Sequence, residues 1–400
     1  MSLMPLGEAL EQMLARAQPP VETLELPILE ALAHTLAETV VSPIAVPGDD
    51  NSAMDGYALR AAEAGQALKV SQRIAAGAVG QALLPGTAAR IFTGAVIPPG
   101  ADAVVMQENC VVEGDRLSVS GGVSAGENVR PRGQDIAEGA EVLPAGRVLR
   151  PQDLGLLASI GRSLVRVYRP LRVAVLSTGD ELREPGSGPL VPGQVYNSNR
   201  YSLAGLLRSL NLEFVDIGIV PDDPEATAAA LLEASRKADV VISSGGVSVG
   251  EEDHVKKQVQ RLGQLELWKL AIKPGKPLAF GRIGETPFIG LPGNPTSVFV
   301  TFCLVARPFL LKRQGVSETG LPSLRARAAF SVARPGIRQD YLRVTVQPAE
   351  DGLSAHRYAN QSSGVLSSVS QASALAVIPP GTTVNEGDPV ELLLLDLLVH

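Results

Sequence analysis

Two cysteines in 400 residues, one tryptophan and an aromatic share of 4% remove several function classes at the outset. Cys110 and Cys303 are too few for a disulfide framework and sit in apolar runs, which fits a reducing compartment. So few rings cannot build the stacking platforms that single-stranded nucleic acid requires. Basic charge is scarce too. With 35 Lys and Arg against 42 Asp and Glu, the net charge is −7, so no broad positive field attracts polyanions and an anionic ligand needs a local cluster. Neither a Gly-x-x-x-x-Gly-Lys-Ser/Thr loop nor a Gly-x-Gly-x-x-Gly fingerprint occurs. The longest apolar segment, 297–311, is interrupted by Arg307-Pro308 and reads as a buried helix rather than a membrane span. The opening residues lack a basic region followed by an apolar core, so the cytoplasm is the expected location.

What is present is a large apolar inventory, 45% of the chain, enough for several cores and two to four domains. Leu6, Leu10, Met13 and Leu14 recur at helical spacing, and a second helical pattern follows Pro27 through Ile28, Leu29, Leu32 and Leu36. Residues 42–57 form a turn-rich polar stretch with no period, and loops of that length usually have a task. Short strands separated by glycine then run to about Leu143, a compact β unit inserted between two halves of a first domain. The N-terminal helices and a later helix opening at Pro151 are expected to pack together.

From Arg172 the pattern alternates between strand and amphipathic helix, which predicts a doubly wound α/β sheet with polar loops at the carboxyl ends of its strands. After Gly315 a strand-like period returns and predicts a small C-terminal β domain. The expected fold class is therefore multidomain α/β and β, elongated overall. The expected divisions are 1–46 with 144–170 as an elongated helical and linker domain, 47–143, 171–316 and 317–400.

The stretch from Asp239 to Asp253 passes from a buried strand through Gly245, Gly246 and Gly250 to acidic residues before a helix. Glycines there let backbone N–H groups approach an anion at a helix start. Gly246-Val-Ser-Val-Gly250 also fits the Gly-x-Ser-x-Gly nucleophile pattern, which would make Ser248 a hydrolase nucleophile with His356 as its base. Against that reading, Glu251, Glu252 and Asp253 place negative charge where an oxyanion would form. Asp180, Glu181, Asp222, Asp223 and Asp253 fall in three such loops, and like charges this close call for a divalent cation. Lys273-Pro-Gly-Lys-Pro277 holds two ammonium groups on a stiff turn suited to an oxyanion, and Leu291-Pro-Gly-Asn-Pro295 is a rigid turn that Asn294 or Thr296 can cap.

Six motifs then stand in one order: Asn51-Ser-Ala-Met-Asp-Gly-Tyr57, Phe92-Thr-Gly-Ala95, Ser177-Thr-Gly-Asp-Glu-Leu182, Ser243-Ser-Gly-Gly-Val-Ser-Val-Gly250, and the lysine and Pro-Gly-Asn-Pro turns. Together they resemble the molybdopterin molybdenumtransferase family, including the gephyrin E-domain architecture, over nearly the whole chain. The resemblance implies that 171–316 is a molybdopterin-binding domain. It implies insertion of molybdate into adenylyl-molybdopterin with Mg²⁺, releasing AMP, by a homodimer that contacts other molybdenum cofactor biosynthesis proteins transiently, without nucleic acid or membrane. On the matching positions it assigns Asp55, Thr93, Asp135, Glu181, Asp222 and Asp253 to catalysis, with Asp55 and Thr93 supplied by the second subunit. Substrate would be held by Arg130, Arg132, Gly245, Gly246, Ser248, Lys273, Lys276, Pro292 and Asn294, and on the molybdate side by Ser297, Arg338 and Ser363. Asp180, Asp222 and Asp253 would hold the metal. Two positions depart from the family pattern: Asp49 stands where an aromatic is usual, and Gln134 where a glutamate is common. A non-catalytic molybdopterin carrier is the remaining alternative.

Overall fold

The computed structural model describes residues 3–19, 22–246, 254–350 and 352–399. Its centre is a six-stranded sheet in the order Glu213–Val220, Arg172–Thr178, Val240–Ser244, Thr286–Leu291, Pro277–Ile283, Gly263–Lys269. The first four are parallel neighbours and the last two are added antiparallel. Helix Ser198–Ser209 buries Leu203 and Leu207 on one face, while Pro224–Lys237 and His254–Leu262 bury Leu231, Ala234, Val255 and Val259 on the other. Helices on both faces make the sheet doubly wound, as the alternating pattern predicts.

The apolar segment near 300 is one helical run, Pro295–Arg313, with 83% of its most apolar window buried. Its middle turn, Phe302–Ala306, is π-helical. Pro308 explains this locally. It has no N–H to give and its ring crowds the carbonyl four residues earlier, so the helix widens rather than breaks. Phe302 and Phe309 are fully buried, each side chain contributing roughly 1.5–3 kcal/mol by leaving water.

The N-terminal expectations need correction. Helix Leu6–Leu14 forms, but Ala9 and Met13 are buried in the α/β core, against the helix Arg307–Arg313, not against the helix at Pro151. The predicted second helix is absent. Thr23–Pro27 is a strand paired with Leu164–Tyr168, followed by one 3-10 turn, Ile28–Glu30, and by Ala33 at φ 62. The sequence-distant strand satisfies the backbone of 23–27, and Leu29 is left 87% exposed, so the helical spacing never becomes a buried face.

The inserted unit is a six-stranded sheet of Ala103–Met106, Gly56–Leu59, Thr87–Ile91, Leu68–Ile74, Arg116–Val119 and Cys110–Glu113. At the C-terminus, Gln339–Ala349, Gly352–Arg357, Ser323–Ala328, Pro389–Leu394 and Ala374–Ile378 pair in a ring that closes between the first and last, a five-stranded barrel. Accessible surface is 19078 Å², where about 15,000 Å² is expected for a compact monomer of this mass. The excess is what several cores strung along an elongated molecule produce.

The passage into the central sheet is clamped. Asp239 accepts from Arg169, from the Arg172 guanidinium and from the Arg172 N–H at 2.8 Å. Burial pushes its carboxyl up, but the two arginines overcome this and hold it at about 2. Gln314 completes the clamp, accepting from the Leu171 N–H at 2.8 Å and donating to the Arg169 carbonyl at 3.1 Å. Leu171 is buried, so Gln314→Ala strands its N–H and is expected to destabilise the protein by about 1–3 kcal/mol, read from urea unfolding midpoints. An unchanged midpoint would show that the clamp carries no stability.

Candidate functional site

The register of the central sheet brings four strand ends level. Thr178 lies opposite Val220, Ser177 opposite Ser244, and Ser244 opposite Leu291. Gly179-Asp180-Glu181, Pro221-Asp222-Asp223, Gly245-Gly246 and Pro292-Gly293-Asn294 therefore leave the sheet along one edge. The chain winds left from Arg172–Thr178 to Glu213–Val220 and then jumps right to Val240–Ser244, so the crevice lies at the reversal of strand order. Gly245 and Gly246 have φ of 86° and 68°, and a Cβ on Gly246 would collide with Val255 and Thr178. This turn packs directly on the end of the neighbouring strand, so no side chain fits.

Asp180 and Asp222 meet in the crevice, both exposed, with Asp180 Oδ1 accepting the Asp222 N–H at 3.2 Å. Asp223 instead caps helix Pro224–Lys237, accepting from the Ala226 N–H at 2.7 Å. His254 Nε2 stands 3.9 Å from Asp222 Oδ1. Glu181 is exposed, and its carboxylate lies where a Cβ on Gly179 would be.

Gly263–Lys269 runs in the same direction as the four parallel strands, so its end delivers the lysine loop to the same edge. Lys273 and Lys276 are both exposed there. Lys273 is paired with Asp340 at 2.8 Å; among the described residues Lys276 has no ion-pair partner. A Cβ on Gly275 would run into the Thr301 hydroxyl, which sets the loop down on the buried helix. Ile272–Lys273 also pairs with Gln339–Asp340 of the barrel, and Arg338 Nη1 donates to the Ile272 carbonyl at 3.0 Å. Nearby, the Thr296 N–H donates to the Ser363 carbonyl at 3.1 Å, and its hydroxyl donates to the Val365 carbonyl at 3.0 Å. The barrel is thus stitched to the sheet at both turns, which gathers Lys273, Ser297, Arg338 and Ser363 about one junction. Pro292 and Ser297 are buried, and Asn294 is exposed. Its side chain does not cap the following helix, contrary to one expectation, and Thr296 is used in joining the barrel.

A second cluster lies in and beside the inserted sheet. Asp55 Oδ1 accepts from the Thr93 N–H at 2.8 Å and the Thr93 hydroxyl at 2.9 Å, and these two bonds hold its carboxyl below the usual carboxylate range. Arg130 faces Asn51 in a short strand pair. The Arg132 N–H donates to Asp50 at 2.7 Å, and its guanidinium reaches Gly48 and Glu138. Asp135 is exposed on the same loop, its N–H bonded to the Val46 carbonyl. Among the described residues, no hydrogen bond or ion pair joins this cluster to the crevice. Ser248 and Asp253 lie outside the described residues. His356 is on the barrel strand Gly352–Arg357 beside the Ser354 hydroxyl at 3.2 Å.

Sequence reading did not single out Asp340, Thr301 or Asn199, whose amide donates to the Gly293 carbonyl at 2.7 Å. Only Asn199 had a usable signal, an asparagine beside a helix start. As for a metal, among the described residues no three His, Cys, Asp or Glu side chains form a ready cage. Two exposed carboxylates on adjacent strand ends fit a magnesium ion that shares its shell with a ligand's phosphates and water.

Thr93→Val leaves the backbone bond to Asp55 but deletes the hydroxyl bond. The Asp55 carboxyl should then titrate higher, closer to an ordinary aspartate, in a carbon-detected NMR titration. An unmoved titration would mean that the hydroxyl does not tune Asp55.

Three family models match along the chain. They are MoeA N-terminal region (domain I and II) over residues 4–161, Probable molybdopterin binding domain over 174–312, and MoeA C-terminal region (domain IV) over 325–395. The molybdopterin molybdenumtransferase of Haemophilus influenzae is 44% identical over 324 residues, 80% of each chain. That of Nostoc sp. is 38% identical over 382 residues, 92% of this chain and 87% of its own. A solved molybdopterin biosynthesis MoeA protein from Pyrococcus horikoshii superposes with a TM-score of 0.85 at 30% identity, covering 98% of this chain and all of its own. Matches of this extent, on a fold whose strand-end loops carry the acidic and lysine motifs, decide against the hydrolase reading: the chain belongs to the molybdopterin molybdenumtransferase family and is an enzyme of molybdenum cofactor biosynthesis.

Proposed function

We propose that the enzyme inserts molybdenum from molybdate into adenylyl-molybdopterin in a Mg²⁺-dependent reaction that releases AMP and the molybdenum cofactor. The observation that carries this reading is the convergence of an acidic crevice and a two-lysine turn on one sheet edge. Cleaving a phosphoanhydride beside an oxyanion needs both. Lys273 and Lys276 bind the anionic groups of the substrates, and the Gly245-Gly246 backbone allows a phosphate to come close. Ser297, Arg338 and Ser363 lie toward molybdate, at the junction with the barrel, while Pro292 and Asn294 shape the wall between. Asp180, Asp222 and Asp253 would hold the magnesium ion, which when bound neutralises phosphate charge. Glu181 and Asp135 handle protons, and Arg130 and Arg132 orient substrate at the edge.

Asp55 and Thr93 act from the second subunit of a homodimer. The reading is supported by the lack, among the described residues, of any hydrogen bond or ion pair from their cluster to the crevice within one chain, and by the large exposed surface. Its domain divisions are 1–46 with 144–170, 47–143, 171–316 and 317–400, except that Leu6–Leu14 joins the core of the third and Ile136 and Leu143 join the core of the first. The cytoplasm is its place of action.

Purified protein with Mg²⁺ and adenylyl-molybdopterin should release AMP only when molybdate is present. Asp55→Ala should remain folded by circular dichroism yet lose at least about a hundredfold in rate, the scale of an acid–base contribution. Binding without molybdate-dependent AMP release would sink the transferase reaction in favour of a carrier. Gly275→Ala, by lifting the lysine loop off Thr301, should weaken substrate binding about tenfold, the loss of one charge-assisted contact; unchanged affinity would remove that loop from the site.

A further inference from the structure

Away from the crevice, a cavity of about 590 Å³ opens where residues 32–35 and 144–151 of the first unit meet the 209–210 turn and the 307–318 segment leading to the barrel. Its lining shares no residue with the site described above. Leu32, Leu149, Leu311 and Val316 make its walls mainly apolar, and its volume is that of a small-molecule site.

One wall residue is out of place in such surroundings. Arg307 is only 7% exposed, and its buried Nε and Nη1 have no hydrogen-bond partner among the described residues. Nη2 makes a single long bond, 3.4 Å, to the Leu397 carbonyl, and among the described residues no carboxylate pairs with the guanidinium. Leaving a buried cation this poorly compensated costs several kcal/mol, and an arginine cannot shed its proton to escape that cost. The residue directly follows the π-helical turn Phe302–Ala306, a widening that resets the direction of everything after it and often marks functional positions. Two further guanidiniums, Arg147 and Arg150, line the same cavity and share one buried carboxylate, Asp153, between them. With Arg307 this leaves three cations against Asp153 and the wall residue Glu318, a net positive site in a chain of net charge −7.

We propose that this interdomain cavity binds a small organic oxyanion, a phosphate ester or carboxylate with an apolar body, whose charge compensates Arg307 and whose body fills the space between Leu32 and Leu311. Because the cavity is walled by segments of the first unit on one side and of the α/β unit and its link to the barrel on the other, an occupant fixes their mutual arrangement.

Calorimetric titration of the full-length protein with hexyl phosphate, hexanoate and hexanol tests this. At least one anion should bind with a sub-millimolar constant while hexanol does not. The tighter of the two anions identifies the head group. Arg307→Met, which keeps an unbranched apolar stem without the charge, should weaken that binding by about tenfold or more. Leu32→Trp should block it by filling the apolar end, and this variant decides the matter should Arg307→Met not fold. The proposal is overturned if neither anion binds, if hexanol binds equally well, or if the variants bind as tightly as the parent.

Discussion

The parallel register of Arg172–Thr178 between its two neighbours is the constraint on which the rest of the molecule depends. A parallel strand cannot return through a tight hairpin, so each βα unit sends its loop out at the same edge, and level strand ends turn four sequence-distant loops into one crevice. The close seat of Gly246 on Thr178 and Val255 then draws two of those loops together. Carboxylates that would be unremarkable on separate surfaces become a concentrated negative edge.

Counter-charge is brought to that edge by the rest of the architecture. The two antiparallel strands added to the sheet reverse direction twice, which is why the lysine turn arrives at the carboxyl edge instead of the opposite one. From that turn the chain pairs directly with the barrel, and the Lys273–Asp340 ion pair spans the seam. That pair is exposed and adds little stability on its own. Its consequence is positional: the first lysine is held by the barrel, whereas Lys276 has no such tether among the described residues.

The same logic of compensated charge separates the molecule's arginines. Arg169 and Arg172 are matched to Asp239 at the entry to the sheet, and Arg343, buried inside the barrel region, donates to Ser368, Tyr341 and Ser362. Among the described residues Arg307 has neither a carboxylate nor a full set of acceptors. Arg313 Nε is likewise buried without a partner among the described residues, but its Nη1 reaches the Gln18 carbonyl at 3.3 Å; Arg307 is the less compensated of the two and lies on a cavity wall.

The sequence by itself determined the local facts. Period alone marked Val173–Leu176, Glu213–Val220 and the run from Val240 to Ile242 as strands, and Pro and Gly placement marked the turns that carry Lys273, Lys276 and Asn294. The order of six motifs identified the family, because each is a short stretch whose chemistry does not depend on distant contacts. What only the tertiary structure decided is pairing. Helical spacing at Ile28–Leu36 lost to a strand partner more than 130 residues away, and helix Leu6–Leu14 found its apolar face in the α/β core. The engagement of Lys273 by Asp340, the seat of Gly275 on Thr301 and the isolation of Arg307 were likewise invisible in the chain. Each depends on which surfaces meet, and a one-dimensional pattern records that a face is apolar or charged without recording what it will face.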